Sequence, residues 1–353
     1  MNTKYLVAVA DTHGNNEALR KISGFLRTLL ERYDKPLNDC AILYLGDALP
    51  LEKMPEKDVA DHYKRFTDAL ANAELPVIGV GGSFDIADAI RKAFEEKGWA
   101  FLHGETAEWN GLKFAGYGGS QLKPEAAEEE LGLPKEKFVQ FNDMDLVKRL
   151  QDKEIDIFLH HTMPYGFADQ IAVGGQMTAQ GLVVARMSIG AKSINHVLSK
   201  TNPILDISGH IHERTASATE QRTVFIKCHG FQGEYGFPVY YVEIAYDQDG
   251  KPFVKSNVDI SFQIDGFAQL APRPIVTCRE EYECTSKEMV QHYRIMKNQE
   301  DSTIIKAIKT EDGFRAVSQK PALLGSDDIS WAFVNDKEDG STTGRTGGGI
   351  VLL

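Results

Sequence analysis

Short apolar runs that stop at an aspartate, a histidine or a glycine recur along this chain. The run Tyr5-Leu-Val-Ala-Val-Ala10 ends in Asp-Thr-His-Gly and is followed by apolar positions Leu19, Ile22, Phe25, Leu26, Leu29 and Leu30 at helical spacing. Strand, polar turn and helix are predicted there. The unit repeats: Ala41-Ile-Leu-Tyr-Leu45 ends in Gly46-Asp47 before a helix over residues 57–73, and Pro76-Val-Ile-Gly-Val80 ends in Gly-Gly-Ser-Phe-Asp85 before a helix over 86–97. Strands alternating with helices predict a largely buried α/β sheet with ligands at the carboxyl ends of its strands.

Residues 112–115, 155–159, 205–208, 223–227 and 239–245 read as further strands, the last two with no helix between them, so a second sheet is expected. Residues 165–190 are rich in Gly, Gln and Ala with little periodicity and read as a loop bordering the site. After about residue 265 the character changes. Ala271-Pro-Arg-Pro274 reads as a linker, and residues 340–349 are crowded with Gly, Ser and Thr. The expected division is 1–265 as one domain and 266–353 as a C-terminal extension with a flexible end. His292 lies in that extension, where no motif is found.

The chain has 353 residues, 42% hydrophobic and 25% charged, with a formal net charge of −12. Those figures exclude disordered and fibrous classes. The negative charge disfavours long nucleic acid as a partner and leaves small phosphorylated substrates open. No apolar stretch of membrane-spanning length and no signal-peptide pattern is present, so a cytoplasmic protein is expected. Cys40, Cys228, Cys278 and Cys284 form no C-x-x-C pair and read as reduced structural thiols.

The residues directly after the strands carry the chemistry: Asp11-x-His13, Gly46-Asp47, Gly82-Ser83-Phe84-Asp85, His160-His161 and Gly209-His210-Ile-His212. Carboxylates and imidazoles are the groups that hold hard and borderline divalent cations, and a two-metal site needs one carboxylate to bridge. Asp47 is the natural bridge, Asp11, His13 and His212 can complete one metal, and His161 and His210 the other. His62 and His196 lie in helical patterns and read as packing or surface residues. His103 and His229 follow strands and are weaker candidates. Gly116-Tyr-Gly-Gly-Ser120 lacks the Lys-Ser/Thr of a P-loop and reads as a tight turn near the metal centre. The acidic run 125–130 reads as a solvated helix face.

In that order these residues resemble the calcineurin-like metallophosphoesterase superfamily, whose pattern runs D-x-H, G-D, G-N-H-D, H and G-H-x-H. The resemblance covers about residues 4–245 and includes His160-His161-Thr-Met-Pro-Tyr-Gly166, similar to H-T-P-P-Y-G, and Gly118-Gly-Ser120, similar to a segment of the prokaryotic phosphoesterase branch. It selects His161 over His160 as the ligand. It implies a four-layer αββα sandwich of two mixed sheets flanked by helices. It also implies two divalent ions of Mn, Fe or Zn type, with Mn favoured, and hydrolysis of a phosphate ester by a metal-bridging hydroxide. The site residues expected are Asp11, His13, Asp47, Ser83, His161, His210 and His212 for metal, and His161, His210, Asp47 and His103 for catalysis. Asn15 and Asp85 would orient ligands.

The departure is at Gly82-Ser83-Phe84-Asp85. A hydroxyl replaces the ligating amide, so the second metal site is expected to be weak, and an apolar ring replaces the imidazole that contacts phosphoryl oxygens. Removing such a group costs on the order of 10²–10⁴ in rate when the leaving group is poor. The expected function is therefore hydrolysis of a small phosphorylated substrate, more readily a phosphodiester, with His103 or His160 as an alternative proton donor. The rival reading is a degenerate metallophosphoesterase acting as a scaffold, with a protein partner on the C-terminal extension.

Overall fold

The computed structural model describes residues 2–121, 124–178, 181–212, 216–228, 230 and 237–262, together with strands lying within 272–351. In chain order the elements are β1 (Lys4–Val9), α1 (Asn16–Arg32), β2 (Cys40–Tyr44), α2 (Glu56–Ala71), β3 (Val77–Gly79), α3 (Ala87–Glu96), β4 (Ala100–Phe101), β5 (Glu105–Trp109) and β6 (Leu112–Tyr117). Then come α4 (Pro124–Leu131), α5 (Asp143–Leu150), β7 (Ile157–His160), β8 (Gln170–Thr178), β9 (Gly181–Ser188), α6 (Lys192–Thr201), β10 (Leu205–Ser208), β11 (Ala216–Glu220), β12 (Thr223–Lys227), β13 (Phe237–Tyr246), β14 (Pro252–Phe262) and β15 (Pro272–Pro274).

A seven-stranded sheet runs β15-β14-β13-β1-β2-β3-β4 and a six-stranded sheet runs β11-β12-β10-β7-β6-β5. Both are mixed: β1 pairs parallel with β2 and antiparallel with β13, and β10 pairs parallel with β7 and β12 while β11 is antiparallel. The period-2 alternation of β1 explains the layering. Leu6, Ala8 and Ala10 join Phe114, Ile157, Leu159, Leu205 and Ile207 in the apolar layer between the sheets. Val7 and Val9 face the other way, onto Leu19, Ile22 and Leu26 of α1 and Tyr63 and Phe66 of α2. On the far side of the second sheet, Tyr117 and Phe158 pack against Leu146 and Leu150 of α5 and Ile194 and Val197 of α6. The architecture is the expected αββα sandwich.

Two readings of the sequence need correction. Residues 165–190, read as a loop, contain the hairpin β8–β9, a two-stranded sheet of its own; its Gly-rich composition hides the alternation that marks a strand. The segment 271–274, read as a linker, contributes β15, paired antiparallel with β14 at the sheet edge, where proline is tolerated because one side of an edge strand needs no ladder donor. Beyond it, β16 (Glu281–Thr285), β17 (Glu288–Lys297), β18 (Asp301–Thr310), β19 (Gly313–Ser318), β20 (Ser330–Trp331) and β21 (Ile350–Val351) form a third, antiparallel sheet. Residues 340–349 lie outside the described residues. Among the described residues no helix is long and apolar enough to cross a membrane.

Candidate metal centre

The two sheets bring their carboxyl edges to one place. The loop after β1 runs along the loop after β2 through Asp11 N–H to Gly46 O (2.8 Å), His13 N–H to Asp47 O (3.0 Å) and Gly14 N–H to Ala48 O (2.9 Å). The second sheet is stitched on by His161 Nδ1–H donating to Leu45 O (2.7 Å) and by the His210 backbone N–H donating to the Asp11 carboxylate at 3.1–3.2 Å. Asp11, His13, Asp47 and His210 all sit at positive φ, between 40° and 73°, a region that costs an L-residue roughly 1–2 kcal/mol each. Gly46 (φ 103°) has the least room: a Cβ there would lie 2.7 Å from His161 Nδ1 and 2.5 Å from Gly82 N. A Cβ on Gly82 would collide with the Asp47 carboxylate.

Six side chains converge as two trios, Asp11/His13/His212 and Asp47/His161/His210, and within each the candidate ligand atoms lie within 4.8 Å of one another. In the first trio His13 Nε2 is 3.0 Å from His212 Nε2, and His212 Nε2 is 3.4 Å from Asp11 Oδ1. In the second, His161 Nε2 is 3.2 Å from Asp47 Oδ2, and the His161 and His210 rings lie 4.8 Å apart. His13 Nδ1–H donates to Leu49 O (3.3 Å) as His161 Nδ1–H does to Leu45 O, so in both rings Nε2 is the nitrogen turned toward the centre. A backbone carbonyl fixing one ring nitrogen so that the other can ligate is the usual support of a metal-bound histidine.

The electrostatics agree. Burial opposes the charge of His161, but the Asp47 carboxylate overrides it and pushes the imidazole up to about 9. Burial likewise opposes His212, and Asp11 raises it. Burial works against ionised Asp11 and Asp47, yet His212 holds the first and His161 the second below the usual carboxylate range. His210 is pushed down to about 3 by burial and then by the charge of His161, and burial lowers His13 against the pull of Asp47 and Asp11. Each trio thus pairs one carboxylate with one histidine whose pKa it raises. Asp47 acts on His13 as well as on His161, as a carboxylate lying between two centres would.

The Gly82–Asp85 turn is built around Asp85, which is fully buried. Its Oδ2 accepts from Asp47 N (2.8 Å) and Gly82 N (2.8 Å), and its Oδ1 from Ala48 N (3.0 Å) and Tyr63 OH (3.0 Å). Burial and the Asp47 charge push this carboxyl up to about 6. Asp85 therefore orients the Asp47 loop, and Tyr63, which sequence pattern marks only as a helix core position, completes it. Ser83 Oγ lies 3.5 Å from His161 Nε2, within reach of the second trio. The Phe84 N–H donates to Asp47 Oδ1 (2.8 Å), and its ring stands edge-on to His13 at 6.1 Å.

The remaining histidines separate from the centre. His160 is buried between Asp206 Oδ1 (Nε2, 2.5 Å) and Thr162 O (Nδ1, 2.5 Å), so both its nitrogens are engaged away from either trio. His103 lies on Tyr117 with ring centroids 4.5 Å apart, and its Nδ1 accepts from Gly118 N at 3.2 Å; none of its described contacts reaches either trio. Burial lowers its pKa. His62 is buried and donates to Ala48 O (3.0 Å), pinning α2 to the Asp47 loop. The Asn15 carbonyl accepts from Leu19 N in the first turn of α1. Gly116 and Tyr117, read as part of a tight turn, are the last residues of β6, and Gly119 N–H donates to Gly81 O (2.9 Å), which ties the segment after β6 to the one that leads into the Gly82–Asp85 turn. His229 lies outside the described residues.

No protein-family model and no curated protein matches the sequence. Solved structures that the chain resembles include the GAP50 anchor of the inner membrane complex of Plasmodium (TM-score 0.43, 13% identity, covering 79% of this chain and 91% of that one). A dimetal phosphatase from Danio rerio gives a TM-score of 0.43 at 11% identity, covering 78% of this chain and 97% of that one. A purple acid phosphatase from yellow lupin (Lupinus luteus) gives 0.38 at 11% identity, covering 76% and 53%. The chemistry assigned to the centre rests on its own side chains.

Proposed function

We propose that this chain is a metal-dependent phosphoesterase that hydrolyses a small phosphate ester, a phosphodiester in preference to a monoester. The observation that carries this is the convergence of Asp11, His13 and His212 beside Asp47, His161 and His210, with the His13 and His161 Nε2 atoms turned inward by carbonyl contacts on their Nδ1 atoms. Two divalent cations held there, Mn2+ in first place, would supply positive charge for the phosphoryl oxygens and a water of lowered pKa as nucleophile.

The chain's own part is to hold and orient. Asp47 bridges the two trios, Asp11 is aimed by the His210 N–H, and Ser83 Oγ serves the second trio as a weak ligand or holds a water. In the reaction a water gives up one proton to solvent, its oxygen bonds to phosphorus as the ester P–O bond breaks, and the leaving oxygen departs with that electron pair. Phe84 supplies no proton to it and His160 is committed to Asp206, so leaving groups that tolerate negative charge are favoured. A diester is preferred because it brings less charge to a site lacking one imidazole.

The test is metal content by elemental analysis together with Mn2+-stimulated hydrolysis of bis(p-nitrophenyl) phosphate by the full chain and by Asp47→Asn. Two metals per chain and turnover lost in the variant are expected. One metal or none, with no turnover after Mn2+ addition, would overturn the proposal in favour of a scaffold whose partner binds through the C-terminal extension.

A further inference from the structure

An apolar surface lies beside the first trio. The Phe84 backbone N–H is fixed on Asp47 Oδ1 at 2.8 Å, and its ring stands edge-on to His13, 6.1 Å away at 79°. The ring is only partly buried, one side packed on the helix-facing core. His13, its neighbour, is also partly exposed, and the loop whose Leu49 carbonyl holds His13 continues into Leu51, an apolar side chain with 46% exposure. Where a donor of protons would be useful, the chain presents carbon.

We infer that Phe84 is the specificity-determining residue of this site and that the substrate class is phosphate esters of aromatic, phenol-like alcohols, whose ring docks on the Phe84 face. The inference rests on the phosphoesterase reading and deepens it. Two independent effects select the same substrates. An offset or edge-to-face ring pair is worth about 2- to 12-fold in affinity beyond simple burial. A phenol-like oxygen also needs no proton in the transition state: the P–O bond breaks, the aryloxide leaves with the electron pair, and its proton comes afterwards from solvent. An alkyl ester gains neither advantage, and on it the missing donor costs on the order of 10²–10⁴.

The test uses the Mn2+-loaded full chain and its Phe84→Ala, Phe84→Leu and Phe84→His variants. Equilibrium binding of phenylphosphonate and methylphosphonate is measured alongside hydrolysis of p-nitrophenyl and ethyl esters. The wild type should bind phenylphosphonate more tightly than methylphosphonate by at least the roughly 2- to 12-fold of the ring pair. Phe84→Ala and Phe84→Leu should remove that preference through phenylphosphonate alone, with metal content retained, and Phe84→His should improve the ethyl ester at least about 10-fold relative to the p-nitrophenyl ester. Unchanged metal content and thermal unfolding in Phe84→Leu, measured alongside, separate a lost preference from a folding defect. An unchanged phenyl-to-methyl ratio in Phe84→Leu, with two metals bound and p-nitrophenyl turnover present, overturns this inference and leaves the phosphoesterase reading standing. Absence of bis(p-nitrophenyl) phosphate turnover by metal-loaded wild type overturns both.

Discussion

Gly46→Ala should disable the metal centre while the sandwich still folds. At Gly46 the new methyl would sit 2.7 Å from His161 Nδ1 and 2.5 Å from Gly82 N, where ordinary contact begins at 3.4 Å. The imidazole must therefore give by about 0.7 Å and the Gly82 backbone by about 0.9 Å. Moving His161 breaks its 2.7 Å bond to Leu45 O, which aims Nε2, and moving Gly82 disturbs its bond to Asp85 and with it the Asp47 loop. Metal–ligand distances tolerate about 0.2 Å, and loss of an orienting partner alone costs about 10- to 100-fold in metal affinity. Backbone strain at φ 103° adds about 1–3 kcal/mol of destabilisation. Gly111→Ala is the control: it too has positive φ, 80°, but nothing lies within 4 Å of its Cβ position, so it carries the strain without touching the site. Elemental analysis, thermal unfolding and bis(p-nitrophenyl) phosphate hydrolysis on both variants are the assays. Both should lose stability, Gly46→Ala by about 1–3 kcal/mol more because of its clashes, and only Gly46→Ala should lose metal from the Asp47/His161/His210 trio along with turnover. A Gly46→Ala protein with wild-type metal content and rate would refute the close packing on which the centre is argued to depend.

Three further outcomes are expected. His161 is raised to about 9, so the metal-free protein carries a proton there at neutral pH that must leave when a cation binds. Calorimetry in buffers of different ionisation enthalpy should then show proton release at pH 7.5 and metal affinity falling as pH falls below 9, and binding without proton release would contradict the assignment. His160→Ala removes one partner of the buried pair with Asp206, whose side chains are 0% and 1% exposed, and should cost about 3–5 kcal/mol in denaturant unfolding; a loss under about 1 kcal/mol would show that the pair contributes little. Cys40 is pushed up to about 12 by burial and then by Asp39, so native maleimide labelling at pH 8, followed on its peptide by mass spectrometry, should be far slower than in denaturant; equal rates would contradict its burial.

The parallel strands and their helices were legible because β1, β2, β7 and β10 are fully or almost fully buried and so read as mainly apolar runs, with Asp206 interrupting β10. β5 was not, since Glu105–Trp109 is half-exposed along its length and carries two glutamates. β8–β9 escaped because five of its residues are Gly or Ala, which give no period to read. The six metal-type side chains were visible for a physical reason: mostly apolar buried strands deliver their polar groups at their ends, and the titratable groups that β7 and β10 hold inside, His160 and Asp206, are paired with each other. The supports were invisible because they are backbone atoms, the Leu45 and Leu49 carbonyls, or a tyrosine that sequence shows only as helix core.

The same hidden supports bear on what Ser83 and Phe84 mean. Four ligand positions at positive φ together cost roughly 4–8 kcal/mol, comparable with the whole net stability of many domains. That geometry persists because other contacts over-determine it: four hydrogen bonds on Asp85, the Asp11 carboxylate on the His210 N–H, and Leu45 O on His161. A site relieved of its chemistry would gain stability by relaxing any of these, for example with glycine at Asp11 or Asp47. Here the strain and all six candidate ligand side chains are present together, and the two positions that differ from the pattern the sequence resembles, Ser83 and Phe84, are adjacent. Under the proposed function, a site that keeps this costly geometry would use Ser83 and Phe84 to alter which ester is taken, with the metal-holding groups left in place.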